Sequence, residues 1–382
     1  MKIALATADF PPIEGGLSRL STDLARELHR AGRLSGVLAP KLPDADTHDR
    51  TLDYPVFRFP GYNAGPARLL PGFLATGGFR RQVLSRSDHL LAINPSFGGA
   101  YGLLVHKQGI ETPFSVFAYG YEFLKFELPK PSSVGKRVLL EIYREAHAIL
   151  AISRFTRDQV IEFGVPTEKV RLCPLGVDLD RFQPDRTEGL ARERLGVLDG
   201  GPILLTVGRL VSRKRHRLVI QAVKSLRDRW PGIEYWIVGR GPEEEALRKL
   251  TKRENLEDHI RFWGKTDEEA LHLFYQACDV FLLPAIQDGP SVEGLGLVLQ
   301  EAAACGKPTI GAESGGVPEA MLPGKTGLMV PPDNLEALVQ AIGALLEDPD
   351  RRVEMGRAGL DWVRRERNWK VCIQGILAAL EG

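Results

Sequence analysis

Cysteine is scarce in this chain, with four residues among 382. Cys173, Cys278, Cys305 and Cys372 are scattered, and they form neither a C-x-x-C pair nor a cluster with histidines at metal-ligand spacing. The pattern argues against a disulfide framework and against a cysteine-based zinc site. It predicts a reducing, cytoplasmic compartment.

Long hydrophobic runs are also absent. The apolar stretch in "MKIALATADFPP" ends at an acid and two prolines after about six residues, which is shorter than the ~7 to 15 of a signal sequence. Nowhere do ~18 apolar residues follow one another, as a membrane-spanning helix requires. The sequence therefore predicts neither secretion nor a membrane span, and it leaves peripheral contact with a membrane surface open.

Neither sign of charge is in excess. Lysine and arginine number 50 and aspartate and glutamate 49, so the formal net charge is +1. No overall field favours a polyanionic partner. The one basic run, "SRKRHR" at 212–217, lacks interleaved aromatic residues, so no nucleic-acid partner is predicted. Any site for an anion must be local.

Short apolar runs alternate with helical patterns along most of the chain. The runs are continuously apolar, which is typical of parallel strands buried on both faces. At 382 residues the chain is long enough for two domains. The sequence therefore predicts an α/β protein with two doubly wound, Rossmann-like domains. Strands are predicted at 2–7, 35–40, 89–94, 114–119, 148–153, 170–174, 203–210, 234–240, 259–264, 280–284, 307–312 and 326–330.

The boundary between the two domains is predicted in the polar segment 178–196. This gives an N-terminal domain over 1–185, a C-terminal domain over 186–361 and an amphipathic terminal helix within 362–382. Open α/β sheets bind ligands at the carboxyl ends of their strands, so one site shared by the two domains is predicted.

Two carboxylates in "GPSVEGLGLVLQEAAACGKP" are eight positions apart. Gly294 and Gly296 interrupt the chain before a predicted helix, which places Glu293 in a loop and Glu301 about five residues into the helix. At ~1.5 Å per residue Glu301 stands only about 7 Å beyond the helix start, so both acids can reach one extended ligand such as a nucleotide sugar. The exposed amides of the helix start favour phosphate. An isolated pair at this spacing is also compatible with an ordinary turn before an amphipathic helix.

A basic pair occurs in "VGRLVSRKRHRLVI". Gly208 and Arg209 end a predicted strand, and Lys214 follows five positions later, so a guanidinium and an ammonium can converge on one anion.

A glycine pair, Gly15 and Gly16, separates the first predicted strand from an amphipathic helix. Two small residues allow a close backbone approach to a ligand phosphate, although turns use such pairs freely.

Two patterns that resemble nucleotide-binding motifs fail. "GKPT" and "GKTG" lack the first glycine of a P-loop, because Glu301 and Glu319 stand there. "VGRGPE" lacks the third glycine of a dinucleotide fingerprint.

Taken in order, the motifs resemble retaining glycosyltransferases of family 4, which have the GT-B fold of two facing Rossmann-like domains. The resemblance rests on the "GG" loop, "AISRFTRDQVIEFGVPTEKVRLCPLGVDLDRF", "VGRLVSRK", "WIVGRGPE", "RFWGK", "EGLGLVLQEAAACGKPTIGAESGGVPEAM" and "GKTGLMVPPDN". It covers nearly the whole chain, and it implies that the terminal helix crosses back to the N-terminal domain.

The resemblance implies roles for individual residues. Arg209 and Lys214 would bind the donor diphosphate, with Gly16 contacting it across the cleft. Glu301 would hold the ribose and Glu293 the transferred sugar. The implied donor-binding set is Gly15, Gly16, Gly208, Phe262, Trp263, Gly264, Gly294, Leu295, Gly296, Leu297, Val298 and Glu301, in which 262–264 would contact the nucleobase.

The chain departs from the family pattern at two positions. Arg215 follows the basic pair where glycine is common, which puts the local turn in doubt. Tyr119 stands where the family usually has the histidine beside the reacting sugar. Either Tyr119 orients the substrate, or the alignment slips to His106, or Tyr119 is a core residue. Candidate acceptor contacts are Tyr121, Glu122, Lys107 and Arg154.

The implied reaction is transfer of a glucose- or mannose-type hexose from a nucleoside-diphosphate sugar, with retention, without a cofactor and without a metal. A cell-envelope, exopolysaccharide, lipid-linked or small-molecule acceptor is expected. Rival interpretations are a two-lobed sugar-binding protein, a nucleotide-sugar epimerase and a phosphorylase of the same fold.

Overall fold

The computed structural model describes residues 1–60, 76–124, 133–185, 189–197 and 200–382. The chain divides into two compact units. Unit 1 comprises Met1–Pro174 together with Trp369–Gly382, and unit 2 comprises Leu175–Asn368.

Unit 1 is built on a parallel sheet of seven strands in the order β3-β2-β1-β4-β5-β6-β7. The strands are β1 Ile3–Ala6, β2 Leu34–Pro40, β3 Val56–Phe59, β4 His89–Ala92, β5 Phe114–Ala118, β6 Ile149–Ala151 and β7 Val170–Leu172. All residues of β1, β4, β5 and β6 are buried, as expected for strands covered on both faces. Strand β3 was not predicted, and its first three residues are only partly buried.

The helices of unit 1 connect these strands. They are α1 Gly16–Arg30, α2 Ala45–Asp49, α3 Gly77–Gln82, α4 Ala100–Lys107, α5 Tyr121–Leu124, α6 Ser133–Glu145, α7 Arg154–Glu162 and the C-terminal α15 Trp369–Glu381. A π-helical turn at Pro95–Gly99 precedes α4, and 3-10 turns occupy Leu84–Arg86 and Thr167–Lys169. Helix α15 packs against α1, so the end of the chain belongs to the N-terminal unit.

Unit 2 is built on a parallel sheet of six strands in the order β10-β9-β8-β11-β12-β13. The strands are β8 Ile203–Val207, β9 Glu234–Val238, β10 Ile260–Gly264, β11 Val280–Leu283, β12 Thr309–Ala312 and β13 Gly327–Val330. The helices are α8 Leu190–Arg194, α9 His216–Leu226, α10 Glu244–Arg253, α11 Leu271–Ala277, α12 Leu297–Ala304, α13 Leu335–Glu347 and α14 Pro349–Glu366, with 3-10 turns at Ser212–Lys214 and Val317–Ala320. The predicted pair of doubly wound α/β domains is confirmed.

The unit boundaries lie at different residues from those expected. The predicted boundaries are 185/186 and 361/362, whereas the units divide after Pro174 and after Asn368. Unit 2 includes the start of the linker because Val177 donates its backbone N–H to Arg367 O at 2.8 Å. Residues 186–188 of the predicted boundary segment lie outside the described residues.

In each sheet, the direction in which successive strands are added reverses beside the first strand of the unit. In unit 1, β1 lies between β2 and β4, and in unit 2, β8 lies between β9 and β11. Loops that follow adjacent strands diverge at such a point, and ligands of doubly wound sheets bind there. A ligand site is therefore expected at the carboxyl ends of the central strands. These strands are β8, β11 and β12 in unit 2 and β1, β4 and β5 in unit 1.

Candidate active site

A three-residue charge cluster lies at the carboxyl ends of β8 and β11. Lys214 Nζ lies 2.6 Å from Glu293 Oε2, and the Arg213 guanidinium also binds this oxygen. Lys214 is only 5% exposed, although its chain position is in a short surface turn. The turn is tied to the loop after β11, since Ile286 N donates to Arg213 O at 2.9 Å. Two cations and one carboxylate thus share a partly enclosed space.

Glu293 is held in its ionised form. Its burial would raise the pKa, but the opposing charges of Lys214 and Arg213 and their hydrogen bonds lower it to about 2. The carboxylate therefore remains charged throughout the neutral range, and it accepts hydrogen bonds without donating any.

Gly208 lies next to the side chain of Lys214. It follows β8 with φ of 145°, and a Cβ at this position would lie 3.5 Å from Cε and 3.6 Å from Nζ of Lys214. A Cβ at this distance would touch the lysine side chain without a clash, so the requirement for glycine comes from the backbone conformation.

Arg209 has a different environment from Lys214. It is exposed, and its side chain makes no hydrogen bond or ion pair with any residue that the structure describes. An unpaired guanidinium at a strand end is available to a ligand, because no internal bond must be broken first.

Helix α12 begins at Leu297, as the glycine-rich sequence predicts. Gly296 precedes it with φ of 93°, and Glu301 is the fifth residue of the helix. Glu301 is 4% exposed, and Tyr275 Oη donates a hydrogen bond of 2.5 Å to its Oε2. The tyrosine fixes one carboxylate oxygen from the neighbouring helix α11.

A second glycine pair packs against the Glu293 loop. Gly316 N donates to Glu293 O at 2.8 Å, and a Cβ on Gly316 would lie 2.0 Å from Gly294 O. A Cβ on Gly315 would lie 2.6 Å from Glu293 O. Only glycine allows these two loops to approach so closely, and their contact fixes the backbone of Glu293 and Gly294.

The segment predicted to contact a nucleobase ends strand β10. The Trp263 ring is partly buried and packs edge-on against the buried side chains of Trp236 and Phe274, at centroid distances of 5.1 and 5.0 Å. The guanidinium of Arg248 lies 4.3 Å from the ring centroid of Phe262. Gly264 has φ of 69° and ends the strand.

Arg215 resolves the doubt about the turn. It adopts the left-handed conformation, with φ of 56° and ψ of 35°, in which glycine is usual. Its Nη2 lies 2.5 Å from Asp333 Oδ2. The turn therefore has its expected shape without glycine, and an ion pair offsets part of the strain.

In unit 1 the predicted glycine pair lies at the start of α1. Gly15 is the N-cap with φ of 140°, and Gly16 is the first helical residue. A Cβ on either would meet no atom within 4 Å.

Tyr119 is buried just after β5. It is 7% exposed, and its hydroxyl donates to Ile93 O at 2.7 Å. Burial, followed by the charge of Glu122, holds the pKa of the phenol well above its ordinary value. Tyr119 is therefore no proton acceptor at neutral pH. Its predicted contact with substrate stays a prediction.

The candidate acceptor residues separate into two groups. Tyr121 is 43% exposed at the start of α5, and Arg154 is exposed at the start of α7. Glu122 is 1% exposed, and its Oε1 accepts hydrogen bonds from Tyr119 N at 2.7 Å and Tyr143 Oη at 3.3 Å. Glu122 thus holds the backbone of Tyr119 in place through this hydrogen bond.

His106 and Lys107 lie at the other end of the sheet. The ring of His106 is 6.3 Å from that of Phe114, the first residue of β5, whereas Tyr119 follows the last residue of this strand. Helix α4 ends at Lys107, whose Nζ pairs with Glu141. The position of His106 therefore gives no support to the alignment in which it replaces Tyr119.

Comparison with known proteins identifies the family. Residues 14–181 match the family described as Glycosyltransferase Family 4, and residues 189–362 match Glycosyl transferases group 1. A GDP-mannose-dependent alpha-(1-6)-phosphatidylinositol monomannoside mannosyltransferase of Mycolicibacterium smegmatis is 33% identical over 96% of this chain and 94% of its own length. The chain belongs to glycosyltransferase family 4. It is an enzyme that transfers glycosyl groups.

Another relative and two solved structures extend the comparison of this glycosyltransferase. A GDP-mannose-dependent monoacylated alpha-(1-6)-phosphatidylinositol monomannoside mannosyltransferase of Corynebacterium glutamicum is 31% identical over 97% of this chain and 95% of the relative. The structure of sucrose-phosphate synthase from Thermosynechococcus elongatus matches with a TM-score of 0.82 at 24% identity, over 99% of this chain and 98% of the other. Anabaena Alr3699/HepE in complex with UDP-glucose matches with a TM-score of 0.82 at 20% identity over both complete chains. The expected GT-B fold is confirmed.

Sequence reasoning missed two parts of the candidate site of this glycosyltransferase. Arg213 binds Glu293 beside Lys214, but in the sequence it is one of four cations in "SRKRHR". Gly315 and Gly316 lie in "ESGGVPEA", which contributed to the resemblance but received no role. The signal that could have identified Gly315 and Gly316 was a pair of glycines shortly after a predicted strand.

Neither a multidentate metal site nor a membrane span is found in the described parts of this glycosyltransferase. Over these ranges, no three His, Cys, Asp or Glu side chains form a group suited to a metal ion. Within the same ranges, no helix is long and apolar enough to cross a membrane.

Proposed function

We propose that this protein transfers a mannosyl residue from GDP-mannose to a carbohydrate hydroxyl of a lipid-linked acceptor, with retention at the anomeric carbon and without a metal ion. The observation that carries the proposal is the Lys214–Glu293–Arg213 cluster at the start of the Gly296-capped helix. The choice of donor and acceptor rests on relatives in two genera that match along nearly their whole length and share these substrates in their names.

The diphosphate is proposed to bind Arg209, Lys214 and the amides of Leu297 and Val298. These groups carry the positive charge that the departing diphosphate needs, which is the reason for proposing metal independence. Charges placed where negative charge develops are worth about 3 to 4 kcal/mol each, or about 100- to 1000-fold in rate. When the phosphate arrives, Lys214 exchanges part of its bond with Glu293 for one with the ligand.

The two carboxylates are proposed to hold the two sugars of the donor. Glu301, with one oxygen fixed by Tyr275, accepts hydrogen bonds from the ribose hydroxyls. Glu293 accepts them from the transferred mannose. Because its pKa is about 2, Glu293 orients the sugar as a charged acceptor and is not an acid. The acceptor hydroxyl then attacks on the face that the diphosphate leaves, so no covalent intermediate is required.

A donor and acceptor screen tests the proposal. The purified protein is incubated with GDP-mannose, UDP-glucose or ADP-glucose, each with phosphatidylinositol mannoside in mixed micelles or with soluble methyl α-mannoside, and with or without EDTA. We expect mannose in the lipid fraction from GDP-mannose alone, an α-linkage by NMR and no effect of EDTA. The Lys214→Ala variant is the inactive control.

Other products would contradict the proposal in distinct ways. An epimerised donor indicates an epimerase, and a sugar phosphate indicates a phosphorylase. Transfer from UDP-glucose alone overturns the choice of donor, and transfer only to methyl α-mannoside overturns the lipid acceptor. An adduct on Glu293 in the mass spectrum would overturn the direct displacement. We also propose that the enzyme is cytoplasmic and contacts the membrane surface to reach its lipid acceptor. Vesicle flotation measures this contact.

A further inference from the structure

Asp9 is a partly buried carboxylate that none of the proposed roles uses. It follows β1 in unit 1, where β1 lies beside β4. Asn94, which follows β4, donates from Nδ2 to Asp9 Oδ2 at 3.0 Å. Tyr119 and Tyr121 follow β5, the next strand of the sheet. Burial raises the pKa of both phenols most, the charge of Glu122 adds to this, and the charge of Asp9 contributes less. The carboxyl ends of three adjacent strands thus bring one acid, one amide and two tyrosines together.

The position of Asp9 is fixed by Thr7 and Asn94. Thr7 Oγ1 accepts from Asp9 N and donates to Asp9 O, both at 3.0 Å. Thr7 Oγ1 also lies 3.2 Å from Ser21 Oγ on helix α1, so the loop is anchored to a long element. Asn94 is anchored as well, because its Oδ1 accepts from Phe97 N and Gly98 N at 3.2 Å each. A carboxylate fixed in this way is prepared to bind a ligand at little entropic cost.

The charge of Asp9 lacks a cationic partner within the described ranges of the chain. Burial raises the pKa of Asp9. Among the described residues, only Asn94 lowers this pKa, through its hydrogen bond to the carboxylate. Its Oδ1 has no hydrogen bond to any described residue, and Asp9 is partly exposed, so a ligand can reach it. A half-buried, uncompensated carboxylate is costly, and such groups are concentrated at functional sites.

Tyr121 supplies an exposed aromatic surface at the same edge of the sheet as this carboxylate, since it follows β5 and Asp9 follows β1. Its side chain is 43% exposed, which is unusual for a large aromatic residue at the start of a helix. Sugars and cyclitols combine hydroxyl groups with an apolar C–H face, so a hydrogen-bond acceptor beside an exposed ring suits them. A phosphate group does not suit it, because Asp9 would repel the negative charge.

We propose that Asp9 accepts a hydrogen bond from a hydroxyl of the acceptor ring, a neutral polyhydroxylated sugar or cyclitol whose C–H face lies on Tyr121. This inference deepens the proposed function and rests on it. Asp9 is then an acceptor-binding residue that the sequence analysis did not identify. It orients the ring that carries the attacking hydroxyl.

The test compares Asp9→Asn with the matched variant Asp46→Asn, which removes an exposed carboxylate from helix α2 of the same unit. Asparagine keeps the shape of Asp9 and an oxygen for Asn94, so the loop is expected to retain its fold. We measure acceptor kinetics with phosphatidylinositol mannoside in mixed micelles and GDP-mannose, GDP binding by calorimetry and hydrolysis of GDP-mannose without acceptor. A hydrogen bond to a charged group is worth about 1.5 to 3 kcal/mol, which corresponds to roughly 10- to 150-fold.

We expect Asp9→Asn to lower kcat/KM for the acceptor by roughly 10- to 150-fold, with GDP affinity and acceptor-free hydrolysis within about twofold of the wild-type values. We expect Tyr121→Ala to raise the acceptor KM, and Asp46→Asn to change nothing. Asp9→Asn with unchanged acceptor kinetics, or with an equal loss of GDP affinity, overturns the inference. Failure of the proposed function looks different, because the wild-type enzyme then transfers no mannose from GDP-mannose. The comparison of variants is then repeated with whichever donor and acceptor the screen finds.

Discussion

Lys214 Nζ and Glu293 Oε2 lie 2.6 Å apart, in a part of unit 2 where a charged group is costly unless it is paired. In the proposed reaction the ammonium binds phosphate and the carboxylate binds the sugar, so the two partners must bind different parts of one donor. Without donor, each compensates the charge of the other. The ion pair therefore keeps the site charged, ordered and ready to bind.

Glu293→Gln tests this relationship. Removing one partner of a buried ion pair costs about 3 to 5 kcal/mol, because the other charge is left uncompensated. We therefore expect a loss of about 3 kcal/mol in the free energy of unfolding and at least a 100-fold loss of transfer, with GDP bound at least as tightly as by the wild-type enzyme. Urea unfolding, transfer kinetics and calorimetry measure the three quantities. Glu313→Gln, at an exposed position in the same unit, is the control.

The pH dependence of this variant has a definite sign. The folded-state pKa of Glu293, about 2, lies below the ordinary value of 4.5 for a glutamate, so the carboxylate stabilises the fold fully above the unfolded pKa. This stabilisation is lost as the pH falls from about 4.5 toward 2. The stability difference between wild type and Glu293→Gln should shrink as the pH is lowered from 7 to 3. A difference that stays constant or grows would show that the carboxylate is not held in its ionised form.

Tyr275→Phe removes the hydroxyl that fixes Glu301. The glutamate loses the hydrogen bond to its Oε2, so we expect the KM for the donor to rise about 5- to 20-fold while kcat changes less than threefold. Tyr235→Phe, which removes another buried hydroxyl of unit 2, serves as the matched control. An equal change in both variants would indicate a general loss of packing.

A comparison of Arg215→Gly with Arg215→Ala separates the cost of the left-handed backbone conformation from the loss of the ion pair. Both variants lose the ion pair with Asp333, but only alanine keeps a Cβ in the left-handed conformation. This conformation costs a residue with a Cβ about 1 to 2 kcal/mol relative to glycine. We therefore expect the glycine variant to be more stable than the alanine variant by about 1 kcal/mol in urea unfolding. The reverse order would mean that the turn changes shape in one of the variants.

Tyr119→Phe tests the two interpretations of Tyr119. If the hydroxyl serves the backbone, its removal leaves Ile93 O without this partner and costs about 1 to 3 kcal/mol of stability, with kcat/KM changed less than tenfold. If it contacts the substrate, the loss of activity in the folded enzyme exceeds 100-fold. Because of the hydrogen bond to Ile93 O, we expect the first result.

The arrangement of strands was predictable because the buried runs are continuously apolar. Strand β3, "VFRF", escaped prediction because it lies at the sheet edge and contains Arg58, whose charge interrupts the pattern. In the fold this side chain is 6% exposed and pairs with Asp49 at 2.6 Å. A partner that comes from a separate helix cannot be inferred from the strand itself.

The candidate site was predictable where glycine or charge stood at a strand end. Glu293, Glu301 and Lys214 were found in this way. The partners that hold them, Arg213 and Tyr275, are brought close by folding from a basic run and from an ordinary helix, and no local pattern distinguishes them. Asp9 was missed because one acid after a strand is indistinguishable from a turn residue until Asn94 is seen beside it.

Calorimetric titration of GDP into the wild-type enzyme, Arg209→Ala, Lys214→Ala and Arg217→Ala tests the central claim most directly. Arg217 is an exposed cation on α9, eight positions beyond Arg209, and serves as the control. If one diphosphate binds the two predicted cations, the Kd rises at least tenfold for Arg209→Ala and for Lys214→Ala and stays within twofold for Arg217→Ala. Equal affinities in all four proteins would contradict the account.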